Sequence, residues 1–164
     1  MADTEIEMPG VGDEAPDFEA RTQTGDAVRL SDLRGRKVAL YFYPKDDTPG
    51  CTKQACNLRD DYRRLLEKGV AVIGVSADDV ASHKAFAEKY DLPFPLVADT
   101  ERDIVVRYGV WGEKKLFGNK TMGIKRTTFL IDEEGKIVYV FKRPKVDEHS
   151  REIAAKFGLA ESAA

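Results

Sequence analysis

Cys51 and Cys56 are the side chains in this sequence best suited to covalent chemistry, and they stand five positions apart. They lie in the stretch YFYPKDDTPGCTKQAC, just after an apolar run and a Pro-Gly turn, and they are the two cysteines of the chain. In a cytosolic protein such a pair is more often catalytic, redox-active or inert than a structural disulfide. Their surroundings must therefore distinguish chemistry from packing.

The residues before Cys51 predict that a helix begins there. Thr48 suits the N-cap, and Pro49 suits the first helical position, where its missing N–H removes no hydrogen bond. Cys51 then takes the third position, close to unpaired amides and the positive end of the helix dipole, which stabilise a thiolate. A second interpretation stays open, because Cys51 shares a helix face with Ala55 and Leu58 and could be a small buried apolar residue.

The spacing of the two cysteines decides how they could react with each other. Five residues of regular helix separate two Cα atoms by about 8–9 Å, whereas a disulfide needs about 7 Å or less. A Cys51–Cys56 disulfide would therefore require the first turn or two of the helix to unwind. A Cys-x-x-Cys pair would not need this change.

A metal site is a weaker interpretation of the same cysteines. The nitrogen ligands on offer are His83 and His149, and neither stands at a ligand spacing from the cysteines. We expect both histidines on helix surfaces, and we expect Lys45, Asp46 and Asp47 to be solvated loop charges. The spacing of these residues therefore disfavours a metal site.

Alternating strand and helix signals surround the cysteines. Polar and apolar residues alternate on both sides of Gly25, which predicts an N-terminal hairpin, while apolar runs at 37–44 and 70–78 predict buried strands. Helical patterns follow these strands, and a hairpin around Gly135 precedes a terminal amphipathic helix. This order predicts an α/β, thioredoxin-like fold, a mixed central sheet flanked by helices with an N-terminal β-hairpin extension, as a single domain over 1–164.

Two local expectations accompany this fold. The segment from Trp111 to Arg126 carries three glycines and predicts irregular structure. Its apolar residues Trp111, Phe117 and Met122 could wall a pocket or simply pack in the core. In the helix that follows the second buried strand, the expected buried face comprises Ala85, Phe86 and Tyr90.

The composition argues against two classes of partner. The net charge is −3, with 34% charged and 42% hydrophobic residues, which is ordinary for a soluble globular protein. Neither nucleic acid nor an anionic membrane is expected as the main partner. The first residues are acidic and lack an apolar segment, so we expect no secretory leader and a cytoplasmic protein.

With these residues located, the opening stretch resembles the signature of a known family. YPKDDTPGC is similar to the Pro-x-x-x-Thr-x-x-Cys motif of the peroxiredoxins, and the placement of Cys56 resembles their Q subfamily, also called bacterioferritin comigratory protein. The similarity runs from VGDEAPDF through GIKRTTFLID into the last hairpin and helix, nearly the whole chain. Gln54 stands where the family more often has Glu.

The resemblance implies a reaction. Cys51 would be the peroxidatic cysteine, which attacks hydrogen peroxide or an organic hydroperoxide and becomes a sulfenic acid. Cys56 would be the resolving cysteine of an atypical 2-Cys enzyme, forming an intrachain disulfide with Cys51. Thioredoxin or a similar dithiol would reduce that disulfide, and no metal, haem or flavin would be needed.

The resemblance also implies supporting roles around the thiol. The family's arginine falls on Arg126, which would stabilise the thiolate and bind peroxide oxygens. The Thr48 hydroxyl and the backbone N–H groups of Gly50 and Cys51 would face the charge that develops on the leaving oxygen. Pro44 would shape the loop and shield the thiol from water.

Two other functions remain compatible with the sequence. A thioredoxin-like protein disulfide oxidoreductase is disfavoured because a Cys-x-x-Cys pair is missing. A thiol redox sensor that is oxidised once, without turnover, would carry the same cysteines. We expect a monomer, because an intrachain resolving cysteine removes one reason for a second chain.

Overall fold

The fold is described here by a computed structural model that covers residues 7–116 and 118–159. A short 3-10 helix spans Leu30–Leu33. Within the described residues, the strands and α-helices are, in chain order, β1 (Glu19–Arg21), β2 (Ala27–Arg29), β3 (Lys37–Phe42), α1 (Pro49–Glu67), β4 (Val70–Ser76), α2 (Val80–Tyr90), β5 (Leu96–Ala98), α3 (Asp103–Arg107), β6 (Trp111–Leu116), β7 (Asn119–Ile124), β8 (Thr127–Ile131), β9 (Ile137–Phe141) and α4 (His149–Lys156).

The central sheet has the strand order β5-β4-β3-β8-β9. β3 pairs in parallel with β4 and antiparallel with β8, so the sheet is mixed, as the sequence predicts. Leu40 of β3 lies opposite Ile73 on one side and Phe129 on the other. Central strands are covered on both faces, which explains their continuous apolar runs.

Alternate residues of β3 enter two separate cores. Leu40 and Phe42 pack on the face covered by the N-terminal segment and α3. Tyr41 and Tyr43 pack on the opposite face, beneath α1, α2 and α4. Cys51 belongs to this second core, so the sheet brings the reactive helix end and the β3 carboxyl end together.

The predicted N-terminal hairpin is confirmed. β1 and β2 pair antiparallel with Ala20 opposite Val28. The turn between them uses Gly25 at φ +86°, a left-handed conformation that glycine adopts without a side-chain clash. The hairpin lies outside the main sheet, as the predicted extension should.

The segment predicted to be irregular is instead a second hairpin, so that expectation is wrong. β6 and β7 pair antiparallel from Trp111–Ile124 to Leu116–Asn119, and Gly118 in the turn has φ +80°. The pattern was hard to read because β7 is mostly exposed and carries polar residues, which weakens the apolar alternation of a strand.

The side chains expected to wall a pocket, and those expected on the buried face of α2, differ from one another in their exposure to solvent. Trp111 packs against the first core beneath the guanidinium of Arg102, Met122 is 52% exposed, and Phe117 lies outside the described residues. On α2, Phe86 is buried as predicted, whereas Ala85 is exposed. The α2 face toward the sheet instead continues through Ala87.

Among the described residues, no helix is both long and apolar enough to cross a membrane.

Candidate active site

The reactive end of α1 begins where the sequence predicts. Thr48 is the N-cap with extended backbone (φ −93°, ψ 157°), and Pro49 occupies the first helical position. Cys51 is the third helical residue and is only 2% exposed. The two interpretations of Cys51 therefore coincide, because it is buried among apolar side chains and also sits at a helix N-terminus.

The Thr48 side chain does not cap the helix. Its hydroxyl donates instead to the backbone oxygen of Lys45 at 2.9 Å, within the loop that precedes the helix. Neither the Gly50 nor the Cys51 amide donates to another group in the described part of the chain. These N–H groups, and the lone pairs of the Thr48 oxygen, are free to bind an oxygen-containing ligand.

Arg126 contacts the Cys51 sulfur directly. It immediately precedes β8, whose antiparallel pairing of Thr127 with Phe42 carries it to the end of β3. Its Nη2 donates to Cys51 Sγ at 3.3 Å, and its Nη1 donates to Gln54 Oε1 at 2.6 Å. A cationic side chain therefore lies in direct contact with the sulfur.

Gly50 leaves room for this guanidinium. A Cβ added at Gly50 would lie 3.1 Å from Arg126 Nη2, closer than ordinary van der Waals contact. A larger residue there would press the guanidinium out of its place beside the sulfur. The glycine is thus explained by the close approach of a side chain, since the backbone itself needs no left-handed conformation.

Two buried polar groups near the thiol were not foreseen from the sequence. Gln54 is fully buried and orients Arg126 through Oε1, while its Nε2 has no hydrogen-bond partner among the described residues. The Tyr41 hydroxyl is buried and unpaired in the same sense, with its ring packed against Gly74. Burial raises the pKa of Tyr41 well above its ordinary value, and negative charge at Cys51 raises it further.

A second cation approaches the site from the β6–β7 hairpin. Burial lowers the pKa of Lys114, the charge of Arg126 lowers it further, and Cys51 acts in the opposite direction. The stem of Lys114 crosses Gly123 on the paired strand, where an added Cβ would lie 3.3 Å from Cδ. No pattern in the sequence points to this lysine, because the glycines of its segment predict irregular structure rather than strands.

Cys56 lies on the same helix, one and a half turns beyond Cys51. Both thiols are free, Cys51 buried and Cys56 half-buried. α1 is continuous through both residues, so the geometry of a regular helix keeps their Cα atoms about 8–9 Å apart. The structure places both cysteines on the predicted element but does not bring the two sulfurs together.

Pro44 takes its predicted place in the loop between β3 and α1, where it is half-buried. Two other expectations for this region are wrong. Asp46 is only 8% exposed, and both His83 and His149 are fully buried rather than on helix surfaces. Each histidine is accommodated inside because both ring nitrogens have oxygen partners.

One group of metal-ligating side chain types occurs in the described part of the chain. Asp46, Asp78 and His83 each place a potential ligand atom within 4.8 Å of the others. These atoms already bond to one another or to neighbouring hydroxyl and amide groups. The group includes neither cysteine, so it does not make the thiol site a metal centre.

Comparison with known proteins decides the family. Residues 11–140 match the model of the AhpC/TSA family. The chain belongs to this family. A putative peroxiredoxin, Bcp, of Coxiella burnetii is 51% identical over 146 residues, covering 89% of this chain and 97% of the relative. Peroxiredoxin Bcp of Bacillus subtilis is 45% identical over 142 residues, covering 87% and 90%.

A solved structure agrees with these sequence relatives. It is the structure of the bacterioferritin comigratory protein of Xanthomonas campestris, which has alkyl peroxide reduction activity. The two chains superpose with a TM-score of 0.80 at 32% identity, over 86% of this chain and 90% of that one. The chain is a peroxiredoxin of the Q, or bacterioferritin comigratory protein, type. It is therefore a thiol-dependent peroxidase with a thioredoxin-like fold.

Proposed function

We propose that Cys51 is the peroxidatic residue of this peroxidase. Its thiolate sulfur attacks the terminal oxygen of a hydroperoxide, the O–O bond breaks, and the released alkoxide or hydroxide takes up a proton. The product is a Cys51 sulfenic acid. The observation that carries this assignment is the 3.3 Å contact between Arg126 Nη2 and Cys51 Sγ at a helix start with unpaired amides.

The groups around the sulfur suit this transition state. Negative charge moves from sulfur to the leaving oxygen, and fixed donors aimed at that charge lower the barrier. Arg126 and the amides of Gly50 and Cys51 are such donors. The Thr48 oxygen, whose hydrogen is engaged by Lys45, accepts a hydrogen bond from the peroxide. Pro44 limits the access of water to the thiol.

Cys56 is the proposed resolving residue. Its thiolate attacks the Cys51 sulfenic sulfur, an S–S bond forms as the S–O bond breaks, and the released hydroxide takes up a proton to form water. Thioredoxin or a similar dithiol then reduces the disulfide by thiol–disulfide exchange. No step needs a metal or an organic cofactor, because the two thiols and the dithiol supply both electrons.

The proposed substrates are hydrogen peroxide and organic hydroperoxides. The alkyl peroxide reduction activity of the Xanthomonas campestris relative supports the second class. We also propose a single-domain monomer in the cytoplasm. An intrachain resolving thiol requires no second chain, and a dithiol reductant requires a reducing compartment. Light scattering at micromolar concentration should give the mass of one chain.

The test is coupled peroxide turnover with mass mapping. Wild type should oxidise NADPH continuously with thioredoxin, thioredoxin reductase and either hydrogen peroxide or cumene hydroperoxide, and Cys51→Ser should not. After one equivalent of peroxide, peptide mapping should find a Cys51–Cys56 disulfide. Full peroxidase activity in Cys51→Ser would contradict the proposal. Disulfide reductase activity toward insulin that does not depend on peroxide would also contradict it. Oxidation of Cys51 without continuous turnover would indicate a redox sensor instead of an enzyme.

A further inference from the structure

The loop between β3 and α1 contains a buried carboxylate that the reaction itself does not use. Asp46 Oδ1 accepts a hydrogen bond from the Tyr43 hydroxyl at 2.6 Å, and Oδ2 accepts one from Ser82 Oγ at 2.7 Å. The same Oδ2 lies 2.7 Å from Nδ1 of His83. A carboxylate this deeply buried is tolerated only when it is paired and fully hydrogen-bonded.

His83 has an oxygen partner at each ring nitrogen. Nδ1 faces the Asp46 carboxyl group, and Nε2 lies 2.9 Å from the backbone oxygen of Val97. Loss of either partner would leave a buried polar atom unpaired, which costs free energy. Asp46 and His83 therefore form a buried, hydrogen-bonded pair.

Further contacts fasten the same loop. The Asp46 amide donates to Asp78 Oδ2 at 2.9 Å, which also accepts from Ser76 Oγ at 2.7 Å. The next residue, Asp47, has φ +57° and accepts hydrogen bonds at 2.7 Å from Lys89 Nζ and from the Tyr90 hydroxyl.

These anchors share one location in the fold. Apart from Tyr43, just beyond β3, every side chain that holds Asp46 or Asp47 belongs to β4, α2 or the turn between them. The loop therefore takes its position from α2, whereas the thiol takes its position from α1.

We propose that Asp46 and His83 are positioning residues for the reaction with hydroperoxide. Their pair ties α2 to the centre of the loop that delivers Pro44 and Thr48 to the thiol. This inference rests on the proposed peroxidatic role of Cys51. Without the pair the loop samples other paths, and the Thr48 oxygen no longer stays where the peroxide must bind. Displacements of about 1 Å in such groups cost up to about 100-fold in rate.

Two variants of one residue separate positioning from general stability. In His83→Asn the amide nitrogen replaces Nδ1 and can still donate to Asp46, while the donor to Val97 is lost. In His83→Gln the amide nitrogen replaces Nε2 and can still donate to Val97, while the donor to Asp46 is lost. Each variant loses the ring and one hydrogen bond. His83→Asn also removes one carbon more than His83→Gln, so the Asn variant has no advantage in packing.

The readout is the single-turnover rate of Cys51 oxidation. It is measured in the Cys56→Ser background, with dimedone trapping of the sulfenic acid and mass spectrometry, beside thermal unfolding of each variant. We expect His83→Gln to slow oxidation by about 10-fold or more and His83→Asn to recover most of that loss. Equal rates in both variants at similar thermal stability would overturn the inference.

Nitrogen NMR of histidine-labelled protein supplies a readout that does not depend on activity. The Nδ1 resonance of His83 should differ between wild type and Asp46→Asn, because the substitution replaces its carboxyl partner by an amide. An Nδ1 resonance that is the same in both proteins would overturn the Asp46–His83 contact.

The same experiments distinguish this inference from the proposed function. If Cys51 forms no sulfenic acid even with His83 intact, the proposed function fails. If Cys51 is oxidised normally and the two His83 variants agree, only the positioning role fails.

Discussion

The two segments on either side of the reactive sulfur are held in opposite ways. The loop, Pro44–Thr48, is fastened through Asp46 to a buried histidine and through Asp47 to a lysine and a tyrosine of α2. The helix start, Pro49–Cys56, is bonded to Arg126 through Cys51 and Gln54, and its small apolar residues pack in the second core. The loop is fixed by polar pairs with α2, and the helix start by one arginine and a few small buried side chains.

This difference suits a cycle in which one segment stays and the other moves. The Thr48 hydroxyl bonds back into the loop, and a missing side-chain cap leaves the first helical turn about 1 kcal/mol less stable than a capped one. Cys51 and Ala55 are buried but small, so exposing them costs less than exposing a leucine or phenylalanine. Unwinding the helix start therefore leaves the anchors of the loop in place.

Cys56→Ser removes the reason for the helix start to unwind, and it should have the largest effect on turnover. Without a second thiol the Cys51 sulfenic acid cannot close the disulfide, so thioredoxin-coupled NADPH oxidation should fall to background. The unresolved sulfenic acid should also proceed to sulfinic acid more readily, which whole-protein mass measures. Undiminished turnover with thioredoxin would show that Cys56 is not the resolving residue and that the helix start need not unwind.

Arg126→Gln breaks the contact that holds the helix start in its reactive form. Loss of one preorganised donor at a developing charge typically costs about 100-fold in rate, or roughly 3 kcal/mol. Single-turnover oxidation of Cys51 should fall by about that factor. Arg126→Lys is the control, because it keeps the charge but cannot bond to Cys51 and Gln54 in the same fork geometry. A wild-type rate in Arg126→Gln would contradict the role.

Asn57→Ala removes the contacts that hold α1 to α4 just after the helix start. The Asn57 side chain donates to the backbone oxygen of Asp147 at 3.0 Å and accepts from the Ser150 amide at 2.8 Å, tying α1 to α4. Losing two hydrogen bonds costs about 1–2 kcal/mol, which should favour unwinding and speed disulfide closure by about 5- to 30-fold. Quenched-flow alkylation after peroxide addition measures this rate.

Ser150→Ala is the matched control for that change. It removes the hydrogen bond from Ser150 to Asp61, about one turn farther from the cysteines, and keeps the backbone bond to Asn57. Closure in this variant should stay within about twofold of wild type. If both variants speed closure equally, general loosening of α4 is responsible rather than release of the helix start.

His149 gives the smallest predicted effect, a pH dependence of the docking of α4. Burial lowers the pKa of His149, while its partner Glu152 opposes that change. Because the pKa of His149 in the folded state lies below its ordinary value, its contribution to the free energy of unfolding is fully present above about pH 6.5. That contribution falls as the pH drops below 6.5, by at most about 1.4 kcal/mol at pH 5.5. Urea unfolding at several pH values should show a flatter profile for His149→Gln. An unchanged profile would contradict this assignment.

Local signals explain which parts of this site could be predicted. Thr48, Pro49 and Cys51 form a continuous helix-start pattern, so the position of the thiol follows from neighbouring residues. Arg126 came from the family resemblance alone, because the pairing of β3 with β8 that brings it to Cys51 is a long-range contact. No local pattern in the sequence encodes that pairing.

The buried Asp46–His83 pair could not be predicted for a related reason. Asp46 and His83 each look like ordinary surface residues in their own segments, and only packing of the loop on α2 joins them. The β6–β7 hairpin, which carries Lys114, was missed because exposed polar strands give little apolar alternation. The fold itself was predictable because the central strands are apolar and the connecting helices are amphipathic.

The central claim is that oxidation unwinds the helix start and leaves the loop in place. Hydrogen–deuterium exchange of the reduced and the mass-verified Cys51–Cys56 disulfide forms tests it directly. Amides of residues 52–56 should lose their protection on oxidation, while the Asp46 amide, bonded to Asp78, keeps its protection. Unchanged protection of residues 52–56 in the disulfide form would contradict the account.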